Sequence, residues 1–192
     1  MGIIITGGEF RGRKLVTDSN SQIIRPTSGK VREALFSSLG ERLYQASFVD
    51  LYSGTGSVGL EAVSRGAREV FLVENHAHSW KLLQANISTV LGKSESCSRV
   101  QAMHLPAKTF CQRMRDQGRS FDFVFADPPF ADDFSLLYDQ VLGIVAPEGL
   151  GIIQFPTRNP PPWVDESLKL GQLRLKRYGE SGLAILNARS IF

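Results

Sequence analysis

The chain has 192 residues, 42% hydrophobic and 21% charged, with a formal net charge of +3, a balance that suits one soluble globular domain. No apolar run approaches the ~18–20 residues that cross a bilayer, and Met1 to Gly8 lacks the basic and apolar regions of a signal peptide, so a cytoplasmic protein with no membrane partner is expected. Cys97 and Cys111 stand alone, without paired spacing or neighbouring histidines, which points to reduced thiols and no metal site. The charge is unevenly placed: residues 1–42 hold seven Lys or Arg against four Asp or Glu, and the remaining 150 hold fifteen of each. A basic cluster of this kind attracts polyanions.

In chain order, Ile3-Ile4-Ile5 is a β-branched run ending at Gly7-Gly8. Phe10 to Val16 is expected to pair back on it as a second strand. Gly12, between Arg11 and Arg13, lets backbone approach a ligand closely, and arginine forks suit phosphate. After a polar loop at Asp18 to Ser21, Arg25-Pro26-Thr27 sets up a helix, with Thr27 or Ser28 as N-cap. Val31, Leu35, Leu39 and Leu43 form an apolar stripe at i+4 spacing, with Arg32, Glu33, Glu41 and Arg42 mostly off it.

Phe48 to Tyr52 is a strand entering Ser53-Gly54-Thr55-Gly56-Ser57-Val58-Gly59. A helix follows through Val63 and closes at Gly66. Val70 to Val73 is a buried strand ending in Glu74. This is a βαβ unit with a nucleotide-site pattern: glycines for close backbone approach, a helix N-terminus for donors, an acid for ribose hydroxyls. Trp80, Leu83, Ile87 and Val90 fall at helical spacing and are expected to cover the sheet. Arg99 to His104 reads as a third strand. Leu105-Pro106-Ala107 opens a helix with Phe110 and Met114 inward.

Phe121 to Ala126 is a further buried strand, and it stops at Asp127-Pro128-Pro129-Phe130. Pro128 biases Asp127 towards extended backbone, and both prolines lack an N–H. The turn therefore offers acceptors and few donors at a strand's C-terminal end, where open α/β sheets bind ligands. Acceptors beside an aromatic face suit an exocyclic amino group on a planar base. Asp-Pro-Pro also occurs as a plain strand-ending turn; the upstream glycine motif weighs against that here. A helix is expected from Ser135 to Val145, then Gly149-Leu150-Gly151 and a strand from Ile152 to Phe155. Pro156 to Trp163 reads as an extended surface loop. Leu173 to Tyr178 and Leu183 to Leu186 complete a hairpin through Gly179 to Gly182.

Two ligand classes fit a glycine turn with an acid on the next strand. In nicotinamide dehydrogenases the glycines receive a pyrophosphate. Here Asp50 sits four residues before Gly54, where a carboxylate repels pyrophosphate but accepts from an ammonium group. That favours S-adenosylmethionine. With both motifs in hand, the chain resembles the amino-group N-methyltransferases of nucleic acids. Residues 5–8, Arg11 to Leu15, Arg25-Pro26-Thr27, Val31 to Phe36 and Leu60 to Ala67 narrow the likeness: they resemble the bacterial 16S ribosomal RNA guanine-N2 methyltransferases. The resemblance runs from about residue 2 to the final hairpin.

It implies a Rossmann-like class I methyltransferase fold: an α/β domain with a central, mostly parallel sheet, helices on both faces, an antiparallel C-terminal hairpin, and a β-hairpin plus helix at the N-terminus. Residues 1–192 are then one domain, with 1–45 a basic RNA-binding extension packed on it. The resemblance makes S-adenosylmethionine the cofactor, held by Asp50, Tyr52, Ser53, Gly54, Thr55, Gly56, Gly59 and Glu74. Asp127, Pro128, Pro129 and Phe130 become the catalytic tetrapeptide. Arg11, Arg13, Lys14, Arg25 and Arg32 are candidate phosphate contacts with 16S ribosomal RNA or the small subunit, and a monomer is expected. The chain departs from the family at Met103-His104-Leu105, where relatives often carry Asp or Asn near the adenine, and at Gln154-Phe155-Pro156, which lacks an acid. Rival readings are a DNA adenine-N6 or cytosine-N4 methyltransferase and a non-catalytic RNA-binding assembly factor.

Overall fold

The computed structural model describes residues 2–17, 29–92, 94–129 and 134–188. The chain divides into two units, Met1–Ala107 and Lys108–Phe192.

The first unit holds helix α1 (Gly29–Leu39), strand β1 (Ser47–Asp50), α2 (Ser57–Ser64), β2 (Glu69–Glu74), α3 (Ala77–Leu91) and β3 (Val100–His104). Its strands run parallel in the order β3-β2-β1. Residues 70–73 are buried throughout, the continuous apolar run of a parallel strand covered on both sides. α2 packs on β1 and β2, and α3 on β2 and β3. α2 ends in a Schellman motif: Gly66 N donates to Val63 O and Ala67 N to Ala62 O, so two terminal carbonyls are satisfied. The α1 stripe is buried as expected at Val31, Leu35 and Leu39, and Phe36 joins it with its ring 6.2 Å from that of Phe48. Leu43 closes the stripe from a 3-10 turn over Gly40–Leu43.

The second unit holds nearly all of α4 (Ala107–Asp116), then β4 (Phe121–Ala126), α5 (Phe134–Leu142), β5 (Val145–Pro156), α6 (Pro162–Lys169), β6 (Leu173–Tyr178) and β7 (Ser181–Asn187). β4 and β5 are parallel, and β7 runs antiparallel between β5 and β6. Two boundaries differ from the sequence reading. The fifth helix stops at Leu142, and Val145 opens a strand because it pairs with Phe121. Phe123 pairs with Leu150, so the segment between is a bulge that carries one strand over twelve residues. The proline-rich stretch read as a loop runs into α6, whose first turn holds Pro162, where a missing N–H costs nothing. Trp163 anchors it: Nε1 donates to Phe134 O at 2.8 Å, and the ring lies 5.2 Å from Tyr138 and 6.4 Å from Phe155.

No helix among the described residues is long and apolar enough to cross a membrane.

Candidate active site

β1 delivers Asp50 to its C-terminal end, where the residue is 1% exposed. Asp50 Oδ2 accepts from Gly59 N at 3.0 Å, which bends the intervening turn back over the strand end. A Cβ on Gly59 would sit 2.0 Å from Leu72 Cδ2, so any side chain there would force Leu72 to move. Ser53 Oγ donates to Asp50 O (2.9 Å), Ser53 N to Val73 O (2.9 Å), and Gly56 N to Ser53 O (2.7 Å). Gly56 has φ 83° and is the N-cap of α2. From β2, Glu74 Oε2 accepts from Gly54 N at 2.8 Å and Oε1 from His76 N at 2.6 Å. Each carboxylate oxygen keeps a further lone pair, so Glu74 still has capacity for hydroxyl donors. The turn is thus clasped by Asp50 at one end and Glu74 at the other. Tyr52 is half-buried beside it, and Thr55 is buried.

The chemistry of this donor set is specific. Residues 50–64 contain no Lys or Arg, and the turn is bounded by the Asp50 and Glu74 carboxylates, with backbone groups and the hydroxyls of Tyr52, Ser53, Thr55 and Ser57 between and beside them. Such a cradle fits a phosphate-free nucleoside carrying an ammonium group and fits a pyrophosphate poorly.

In the second unit, β4 ends at Ala126, and Asp127 follows, half-buried, with Pro128 buried and Pro129 exposed. The expected strand-end carboxylate is therefore in place within its unit. Phe130 lies outside the described residues.

The basic arm pairs back antiparallel as expected, over a stretch shorter than a regular strand. Ile4 and Lys14 form one antiparallel bridge, with Ile5 N donating to Arg13 O and Leu15 N to Ile3 O. The backbone between is drawn onto α2: Glu9 N donates to Ser64 O (2.7 Å), Phe10 N to Ser64 Oγ (2.9 Å), and Ser64 Oγ to Gly7 O (2.6 Å). Those bonds tie the tip of the arm to the end of α2. Arg11, Arg13 and Lys14 are exposed. Arg13 donates to Val90 O, and its guanidinium lies 4.7 Å from the Phe10 ring centre. Arg25 lies outside the described residues, as do Thr27 and Ser28.

Arg32 corrects the sequence reading. It is 2% exposed, with Nε 3.3 Å from Glu61 Oε2 and NH2 donating to Ile4 O at 2.6 Å. Burial pulls the guanidinium below its ordinary pKa, against the opposing pull of the Glu61 carboxylate. A group held this way is a structural cation, not a surface phosphate contact. Its partner Glu61, wholly buried, also accepts from Thr6 N (2.9 Å), Thr6 Oγ1 (2.5 Å) and Arg65 Nε (3.0 Å).

Glu61 and Asn86 escaped the sequence reading as structural polar groups. The available signal was position: Glu61 lies inside an apolar helical run, and Asn86 falls three after Leu83 and four before Val90. Asn86 is fully buried where Ile87 was expected, and Ile87 is half-buried. Trp80 is half-buried and stacks on exposed His104 (5.0 Å between ring centres, 7° between planes), and His104 Nε2 lies 3.2 Å from Asn75 O. Cys97 and Cys111 are both free thiols.

A family model described as conserved hypothetical protein 95 matches residues 3–187. The ribosomal RNA small subunit methyltransferase D of Escherichia coli K12 is 34% identical over 175 residues, covering 88% of this chain and 82% of that protein. The chain belongs to this methyltransferase family. The likeness extends to solved structures: the hypothetical protein TTHA0928 of Thermus thermophilus matches with TM-score 0.77 and 29% identity, over 96% of this chain and 99% of that one. The SAM-dependent methyltransferase of Agrobacterium tumefaciens matches with TM-score 0.69 over 92% of this chain and 68% of that one. At 15% identity that likeness shows the fold alone. The family's fold is thus the Rossmann-like α/β fold expected from the sequence, with its mostly parallel sheet and antiparallel C-terminal strand pair.

Proposed function

We propose that this methyltransferase moves a methyl group from S-adenosylmethionine to the N2 amino group of a guanine in 16S ribosomal RNA. The observation that carries the reading is the phosphate-hostile glycine turn clasped between Asp50 and Glu74. The printed names of the relatives, ribosomal RNA small subunit methyltransferase D, support the substrate class. When bound, S-adenosylmethionine supplies a sulfonium-activated methyl electrophile.

Asp50 and backbone groups of residues 52–56 hold the amino-acid end, and Glu74 accepts from ribose hydroxyls. A guanine is splayed from the RNA at the cost of its stacking. Asp127 and the Pro128 carbonyl accept the two N2–H bonds, which orients the nitrogen lone pair for in-line attack, and Phe130 stacks on the base. The rate gain is positioning plus stabilisation of positive charge that develops on nitrogen. The amino group becomes acidic as its new bond forms, so its surplus proton passes to the Asp127 carboxylate that already accepts the N–H bond, and from there to solvent. Arg11, Arg13 and Lys14 contact phosphates. The basic arm is the RNA-binding part of the enzyme.

The test is methyl transfer from labelled cofactor to unmethylated small ribosomal subunits, with duplex DNA in a parallel reaction. Label is expected in the subunit RNA. Label in the duplex instead, or none in either, would contradict this function.

A further inference from the structure

Asn86 has no exposed surface and spends its amide on two distant segments. Oδ1 accepts from Val16 N at 2.6 Å, while Nδ2 donates to Val16 O at 3.0 Å and to Thr55 O at 2.8 Å. Both N–H bonds of the amide are used, and they point in fixed directions in one plane. Val16 terminates the stretch that carries Arg11, Arg13 and Lys14. Thr55 lies in the glycine turn between the Asp50 and Glu74 clasps. One rigid side chain therefore holds the arm in register with the turn, and rotating the amide to follow Thr55 would break its bonds to Val16. The same arm is pinned to α2 through Glu61 and Ser64 and to α3 through the Val90 carbonyl. Its position thus depends on the helices flanking the turn.

We propose that Asn86 is a positioning residue that couples the two substrates: ordering of residues 53–56 by the methyl donor and ordering of the basic arm by RNA are linked, so each ligand tightens the other. The inference rests on the reading above that the turn takes S-adenosylmethionine and the arm takes RNA. Ordering shared between two sites produces cooperativity without a large movement, and the effect is reciprocal. Simple destabilisation behaves differently. It weakens both affinities and leaves their mutual enhancement unchanged.

The experiment measures the dissociation constant for unmethylated small subunits with and without saturating S-adenosylhomocysteine, at one fixed salt concentration, in the wild type and in Asn86→Asp. Aspartate keeps the acceptor for Val16 N and loses both donors. The wild type is expected to bind subunits about fivefold or more tightly when S-adenosylhomocysteine is present, and Asn86→Asp less than twofold while still binding each ligand alone. Retention of the wild-type factor by the variant, or wild-type binding of both ligands without enhancement, overturns the coupling. Wild-type protein that binds no subunits at all overturns the functional reading itself, a distinct result. Should Asn86→Asp fail to fold, amide hydrogen exchange on the wild type decides: S-adenosylhomocysteine is expected to slow residues 10–16 along with 53–56, and unchanged exchange at 10–16 overturns the proposal.

Discussion

Glu61 carries a charge with no exposed surface, and the residues around it explain how. Thr6 gives it two hydrogen bonds, and Arg32 and Arg65 supply opposite charge on either side. Removing one member of such a buried set leaves the others uncompensated, which costs about 3 kcal/mol or more. Arg32→Met is therefore expected to lower the denaturant midpoint clearly and to leave the salt dependence of RNA binding where it was. Arg11→Ala with Arg13→Ala should instead flatten that dependence by roughly one to two units of slope. A flattened slope in Arg32→Met would restore its role as a phosphate contact. Cys111 gives a separate check on burial. Its thiol is pushed up to about 12 by desolvation, so almost no thiolate exists at neutral pH. Native protein should alkylate at exposed Cys97 and spare Cys111 until it is unfolded, as peptide mass mapping would show.

The elements differ in how plainly the chain announces them. β1, the glycine turn, α2 and β2 were legible because their signals are local: an apolar run, spaced glycines, a glycine stop, an acid. The β6–β7 hairpin was legible from alternation around Gly179 to Gly182. The start of β5 was not, because Val145 becomes a strand residue only by pairing with Phe121 across a bulge. α6 was missed because prolines that break a helix internally are harmless in its first turn. The buried polar residues were hidden for a related reason. Arg32 meets Glu61, and Asn86 meets Val16, across long sequence separations that no local pattern reveals. Two changes test the elements. Trp163→Phe removes the indole donor to Phe134 O and should destabilise by about 1 kcal/mol, read from thermal or denaturant unfolding. Gly59→Ala forces a methyl against Leu72 and Asp50. It should cost about 1–3 kcal/mol and weaken cofactor binding more than tenfold by calorimetry; an unchanged affinity would refute the need for that close approach.

At the scale of the whole molecule, the two units each present their own groups. The first clasps a turn suited to a phosphate-free nucleoside with an ammonium group, and the second ends a buried strand in Asp127-Pro128-Pro129. Glu74→Ala should weaken cofactor binding while leaving the fold intact, and Asp127→Ala should leave cofactor binding intact while stopping transfer. That division of labour distinguishes an enzyme from an assembly factor that only binds RNA. The most direct measurement is nucleoside mass analysis of the ribosomal RNA from small subunits treated with cofactor and either wild-type or Asp127→Ala protein. N2-methylguanosine at one position is predicted with the wild type, and none with the variant. Methylation on another atom, or undiminished turnover by Asp127→Ala, would contradict the proposed chemistry.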